Sequence, residues 1–186
     1  MELILASNSP RRKQLLSELG VKFSVIVSDF SETNFTNDPI ITAETFAIGK
    51  AKDVFNNLPN KNDKLVLGAD TVVYFDGEIL GKPKDHDDAY AMLKKLSDKE
   101  HIVVTGFALV GGDFEFVGHD VTFVRFNRLS KEQILDYVKT GLPFGKAGSY
   151  GIQDGFNLVK SYIGSLNNVI GLPTEKILKL LKNYSF

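Results

Sequence analysis

An aspartate stands inside an apolar run. In LVLGADTVVYF, Asp70 interrupts a segment that otherwise reads as a buried strand, and a buried carboxylate is not left without partners. Alternation along a strand puts Gly68 on the same face and leaves space beside the carboxylate. Asp76-Gly77 is a strong signal for a tight hairpin. Folding the chain there pairs Val73 with Leu80 and brings Lys82 opposite Thr71, next to Asp70. Two readings of this carboxylate and ammonium stay open. They form a structural ion pair, or they form a site in which Asp70 holds a cation or activates water while Lys82 meets a phosphate. Hard cations take oxygen ligands of this type.

A second cluster lies near the start, in LILASNSPRRKQLLSELG. Ser9 is a natural N-cap and Pro10 a natural first helical residue. Arg11 and Arg12 then fall in the first turn, where the helix already carries about half a positive charge and each cation costs about 0.3–1 kcal/mol. A loop and helix start of this kind can hold phosphate through its amides, and guanidinium forks match phosphate oxygens. The rival reading is a solvated helix face, and the residues alone do not separate the two. No G-x-x-x-x-G-K-[ST] occurs, which argues against ordinary P-loop chemistry.

Other candidates carry weaker signals. Lys50 sits within the apolar arc of its helix, as a snorkelling stem at the core rim or as a cation reaching into a cleft. Glu32 lies in a polar loop and reads by itself as solvated. In GKAGSYGIQD, glycines permit close backbone approach, Lys146 supplies charge, and Gln153 supplies an amide able to read a base edge. His86, His101 and His119 are far apart without zinc-ligand spacing, and His101 and His119 read as packing or surface residues. The absence of cysteine removes disulfides, thiolate nucleophiles and zinc–thiolate sites. The chemistry therefore rests on carboxylates, lysines and arginines, with a bound hard cation where two carboxylates converge. Arg11, Arg12, Lys50, Lys82 and Lys146 with Glu32 and Asp70 suit a polyphosphate ester.

The elements that must position these residues alternate between strand and helix. KFSVIVSDF reads as a strand, and Thr42 opens an amphipathic helix with Ala47, Ala51, Val54, Phe55 and Leu58 on one stripe. DHDDAYAMLKKLS reads as a helix, EHIVVTGFALVGG and FEFVGHDVTFVRF as long antiparallel neighbours, and SKEQILDYVKTG as a helix with a Ser130–Gln133 capping box. A strand near Phe156–Ile163 and a helix near GLPTEKILKLL follow. Adjacent antiparallel pairs make this a mixed-sheet α/β fold. The 186 residues allow one domain or two small lobes. A net charge of −1 argues against a general nucleic-acid binder. No apolar run is long enough to span a bilayer, Met1 leads directly into a strand without a signal-peptide pattern, and the absence of cysteine fits a cytoplasmic protein.

Read in order, LASNSPRR, LGADTVV, GKP, HIVVTG, KAGSYGIQ and GSLNNVIGLP resemble the motifs of the Maf family of nucleoside triphosphate pyrophosphatases over nearly the whole chain. The resemblance implies a single domain over 1–186: an elongated mixed β-sheet flanked by helices, with two lobes around a central cleft, related to inosine triphosphate pyrophosphatases. It further implies a cytoplasmic, commonly homodimeric enzyme, dependent on Mg²⁺ or Mn²⁺, and linked by its family name to septum formation. Its reaction cuts a nucleoside triphosphate between the α- and β-phosphates. By the family pattern Ser7, Arg11 and Arg12 meet phosphates. Asp70 is general base or metal ligand, with Thr71 beside it, and Glu32 falls at an active-site position; from the residues themselves, Glu32 and Asp70 are the carboxylates suited to a divalent metal. Lys50 and Lys82 are active-site lysines, and Gln153 matches the glutamine after the glycine-rich loop, while Lys146 reads as substrate-binding from its charge in that loop. The YGIQ form is similar to the branch acting on dTTP and UTP, with CTP or modified pyrimidine triphosphates as further candidate substrates, while LSDKEH departs from many relatives in a turn away from the proposed chemistry. Two alternatives accompany this expectation. One is a pyrophosphatase for purine or modified nucleotides such as 7-methyl-GTP, ITP or XTP. The other is a cell-division regulator that binds nucleotide without turnover.

Overall fold

Alternating apolar segments become strands, and the computed structural model, which describes residues 1–33 and 36–182, joins seven of them in one mixed sheet. Strand β1 (Glu2–Leu5) lies parallel to both β2 (Phe23–Val25) and β3 (Lys64–Phe75). From β3 onward the pairing is antiparallel, to β4 (Glu78–Leu80), β5 (Glu100–Gly111), β6 (Phe114–Phe126) and β7 (Val159–Ile163). The order is β2-β1-β3-β5-β6-β7, with β4 paired to β3. The expected hairpin forms: Val73 faces Leu80, and Asp76 and Gly77 both take the left-handed conformation of a type I′ turn.

Helix α2 (Pro39–Asn57) crosses β3 and β5, and its position is set by two glycines. A Cβ at Gly68 would run into the backbone carbonyl of Ala47, and one at Gly106 into the backbone of Ala43. The space expected beside Asp70 is therefore not cleft volume; the α2 backbone fills it. The same close approach carries Lys50 over Asp70.

On the opposite face the core divides. Leu3, Leu5, Leu67 and Leu109 pack with Leu16 of α1 (Pro10–Glu18) and Ile177 of α6 (Thr174–Leu181). Further along the strands, Val73, Val124 and Phe126 pack with Leu93 of α3 (His86–Leu96) and Tyr137 of α4 (Lys131–Lys139). The two cores meet at polar cross-strand partners, Thr71 and Thr105, whose hydroxyls are 2.9 Å apart. This break in apolar packing is the floor of the gap between two lobes.

Several boundaries differ from the sequence reading. Only Phe23–Val25 of KFSVIVSDF pairs in the sheet. Helix α2 starts at Pro39, because Asp38 caps it by accepting from the amides of Ile40 and Ile41. Thr42, the expected start, is instead buried and accepts from the Thr36 amide. The strand expected from Phe156 begins at Val159. A five-residue helix, α5 (Leu166–Ile170), was not expected from the pattern. The Ser130–Gln133 capping box forms as expected.

Candidate active site

All ten candidate residues line one cleft of about 650 Å³ between the lobes. The volume lies within the range of small-molecule sites. Ser7, Arg11 and Arg12 come from the loop after β1 and the start of α1. Glu32 follows β2, Lys50 is on α2, Asp70 and Thr71 are on β3, Lys82 follows β4, and Lys146 and Gln153 come from the glycine-rich loop.

The acidic centre is built on Lys50. Its ammonium lies 2.5 Å from Asp70 Oδ1 and 2.7 Å from Glu32 Oε1. Lys82, expected beside Asp70, instead pairs with Glu32 at 3.1 Å and is exposed. It follows the paired residues of β4, so hairpin register alone does not fix its position. The two carboxylates are pushed in opposite directions. Burial raises the Asp70 pKa, and the positive charges of Lys50 and Arg12 pull back only part of that rise. Burial alone would raise Glu32 as well, but the hydrogen bonds and charges of Lys50 and Lys82 outweigh it and leave Glu32 below the ordinary carboxylate range. One group thus stays ionised while the other gains basicity, the usual signature of divided acid–base roles.

Among the described residues, Arg12 is held without a carboxylate in contact. Its Nε donates to the Gly171 carbonyl at 2.8 Å, Nη1 to Ser7 Oγ at 3.3 Å and Nη2 to Thr71 Oγ1 at 3.1 Å. All three acceptors are neutral, so the fork is oriented while its charge is not cancelled by a contacting anion. Ser7 Oγ also accepts from the Ser9 amide at 3.2 Å, which leaves its own hydrogen for a ligand. Arg11 reaches across the cleft to the Gly145 carbonyl at 3.5 Å. These contacts show what two arginines do at a helix start: one is preset by neutral acceptors and the other spans the mouth.

Gly171 closes α5, its amide donating to the Asn167 carbonyl, and α5 is anchored by Asn168, a residue that carries no signal in the sequence. Asn168 is fully buried on α5. Its amide donates to the Val103 carbonyl and Thr122 Oγ1, its Oδ1 accepts from the Thr105 amide, and its carbonyl accepts from Thr105 Oγ1. Four bonds fasten α5 to the sheet. A single buried amide in a short helix carries no periodic signal, so only its full set of polar atoms hinted at a tether.

Asp154 was also passed over. It lies on the far wall, where its Oδ2 pairs with Lys146 and accepts from Tyr137 Oη at 2.5 Å. Its Oδ1 accepts from Gln153 Nε2 at 3.1 Å. Burial and the bond to Asp154 both raise the Tyr137 pKa, which keeps the phenol protonated as donor. Lys146 therefore lines the cleft with its charge already paired. The signal available in the sequence was Asp154 following Gln153 in a glycine-rich loop. His101 packs as expected: its Nε2 lies 2.8 Å from Tyr150 Oη, and burial pushes the imidazole down to about 4.

Among the described residues, no group of three or more His, Asp or Glu side chains is placed to hold a metal ion alone. Glu32 and Asp70 nevertheless converge on one cation, the Lys50 ammonium. Two carboxylates are what Mg²⁺ commonly takes from a protein when substrate phosphates and water complete its shell. The donor set fits that ion with a polyphosphate present.

Comparison with known proteins bears on this arrangement. A family description, Maf-like protein, matches residues 2–184. A protein of Alkaliphilus oremlandii named dTTP/UTP pyrophosphatase is 49% identical over 98% of this chain and 96% of its own. One of the same name from Aquifex aeolicus is 45% identical over 98% and 95%. Among solved structures, a HAM1 protein from Coxiella burnetii superposes with a TM-score of 0.52 at 17% identity, over 99% of this chain and 100% of that one. The structural likeness supports the mixed α/β fold.

Proposed function

Because the chain belongs to the Maf-like protein family, we propose that it is a nucleoside triphosphate pyrophosphatase acting on dTTP and UTP. Each reaction yields the nucleoside monophosphate and pyrophosphate. The observation that carries this reading is the juxtaposition in one cleft of two arginines that contact no carboxylate among the described residues and a buried Asp70 held by the Lys50 ammonium.

A triphosphate brings about four negative charges, and catalysis of phosphoryl chemistry rests on positioning and charge stabilisation. Arg11, Arg12 and Lys82 bind the phosphate chain, and the Ser7 hydroxyl donates to a phosphate oxygen. Asp70 accepts a proton from the water that attacks the α-phosphorus. The bond from that phosphorus to the α,β-bridging oxygen breaks, and its electron pair leaves with pyrophosphate. Lys50 keeps Asp70 and Glu32 together and limits the rise of the Asp70 pKa. Thr71 and the Gly171 carbonyl fix the plane of the Arg12 guanidinium. Glu32 and Asp70 would hold Mg²⁺ or Mn²⁺, which when bound supplies further charge neutralisation at the phosphates.

The working form is a cytoplasmic homodimer that acts on free nucleotides and has no nucleic-acid or membrane partner, and the reaction serves nucleotide-pool cleansing or septum formation. No helix among the described residues is long and apolar enough to cross a membrane. A panel of dTTP, UTP, CTP, ITP, XTP and 7-methyl-GTP, with pyrophosphate release measured, tests the assignment. Preferred release from dTTP and UTP is expected. Preference for a purine or modified nucleotide would replace the substrate reading, and stoichiometric binding without release would replace the enzyme reading.

A further inference from the structure

The far wall of the cleft carries a constraint that the phosphate chemistry does not need. Asp154 is acceptor-only when ionised, so the Gln153 nitrogen that approaches its Oδ1 at 3.1 Å must be the donor. That fixes which way the Gln153 amide points. Its carbonyl oxygen then has no hydrogen-bond donor among the described residues and belongs to an exposed side chain lining the cleft. The carboxylate is held in turn on its other oxygen by Tyr137 and Lys146. Tyr137 Oη also accepts from the Gly151 amide at 3.0 Å. Gly151 leaves room for the pair: a Cβ there would lie 2.6 Å from Asp154 Oδ1 and 2.7 Å from Gln153 Nε2. Three elements (α4, the glycine-rich loop and the turn after it) therefore converge to orient one exposed amide.

We propose that Asp154 is a positioning residue for base selection, turning Gln153 so that its carbonyl oxygen meets a base edge bearing an N–H donor. The inference rests on the nucleotide reading above and deepens it. Uracil and thymine carry a proton on N3 and can donate to that oxygen. Cytosine has a bare, accepting N3, so the same contact becomes a repulsion between two acceptors. Lys146 pairs with the other carboxylate oxygen and so holds the Asp154 side chain in place beside the amide.

The test compares kcat/KM for UTP, CTP and N3-methyl-UTP in the wild type, Asp154→Asn and Tyr137→Phe. The wild type is expected to favour UTP over both other nucleotides by about 10-fold or more, the scale of one hydrogen bond gained or left unmade. Asp154→Asn lets the Gln153 amide rotate, so UTP turnover falls while CTP turnover holds or rises, and the UTP-to-CTP ratio drops by about 10-fold. Tyr137→Phe removes one of the two groups that hold the carboxylate but keeps its bond to Gln153, so the ratio drops in the same direction by a smaller factor. A general structural role for Asp154 would lower all substrates together, and an unchanged ratio in Asp154→Asn overturns the proposal. If that variant does not fold, the wild type decides alone: equal turnover of UTP and N3-methyl-UTP overturns the inference. A wild type releasing no pyrophosphate from any nucleotide overturns the enzyme reading itself.

Discussion

Replacing Lys50 by methionine keeps most of the buried stem and removes the ammonium that Asp70 and Glu32 share. Two carboxylate oxygens within about 3 Å of one nitrogen can be no more than about 6 Å apart, and at an effective dielectric near 20 their unscreened repulsion is about 3 kcal/mol. Breaking a buried pair from one side costs about 3–5 kcal/mol in general, because the remaining charge is left uncompensated. The pH dependence follows from the two shifts. A raised folded-state pKa, as at Asp70, favours folding in acid, and that advantage is lost as pH rises through the folded value. A depressed one, as at Glu32, favours folding above the ordinary carboxylate range, and that contribution is lost in acid. Removing Lys50 raises Asp70 further and weakens the depression of Glu32. Both changes subtract stability near neutrality and neither does so once the two carboxylates are protonated. Thermal and urea unfolding of Lys50→Met and wild type at several pH values between neutral and acid reads this directly. The expected loss at pH 7 is about 3–5 kcal/mol, or a Tm lower by about 10 °C for a domain of this size. Well below the carboxylate range the loss shrinks to about 1 kcal/mol of altered packing. A deficit equal at all pH values would refute the shared-ammonium argument.

Two further outcomes follow from the packing around the cleft. Gly68→Ala puts a methyl group into the Ala47 carbonyl, and chemical denaturation is expected to show about 3 kcal/mol of destabilisation or more, since backbone cannot yield as a side chain can. Asn168→Ala leaves the Thr105 amide, the Val103 carbonyl and Thr122 Oγ1 without their shared partner. A loss of about 2–4 kcal/mol is expected in unfolding experiments, together with a raised KM as the Gly171 acceptor for Arg12 loosens.

Much of this fold was legible because local physics wrote it twice. The Asp76-Gly77 turn fixed the β3–β4 register, and Ser130 with Gln133 marked the start of α4. Asp70 was legible as an anomaly, a charge where burial forbids an unpaired one. Its partner was not, because the Lys50 contact depends on how closely α2 crosses β3. Gly68 determines that crossing through a clash visible only once both elements are placed. Glu32 gave no local signal either, since its depressed pKa arises from two lysines 18 and 50 residues away. Arg11 and Arg12 stood out by their cost to the helix start, and the structure shows the neutral acceptors that hold one of them. Asn168 was silent because its hydrogen bonds reach distant chain segments, which no periodicity records, and Asp154 left only its place after Gln153 in the glycine-rich loop.

The central claim is that the buried carboxylate of Asp70 removes the proton from the attacking water while the arginines hold the phosphates. Pyrophosphate release from UTP by Asp70→Asn, measured beside equilibrium binding of UTP to the same variant, tests it most directly. Turnover is expected to be abolished while nucleotide binding stays close to that of the wild type. Turnover undiminished by the substitution would contradict it.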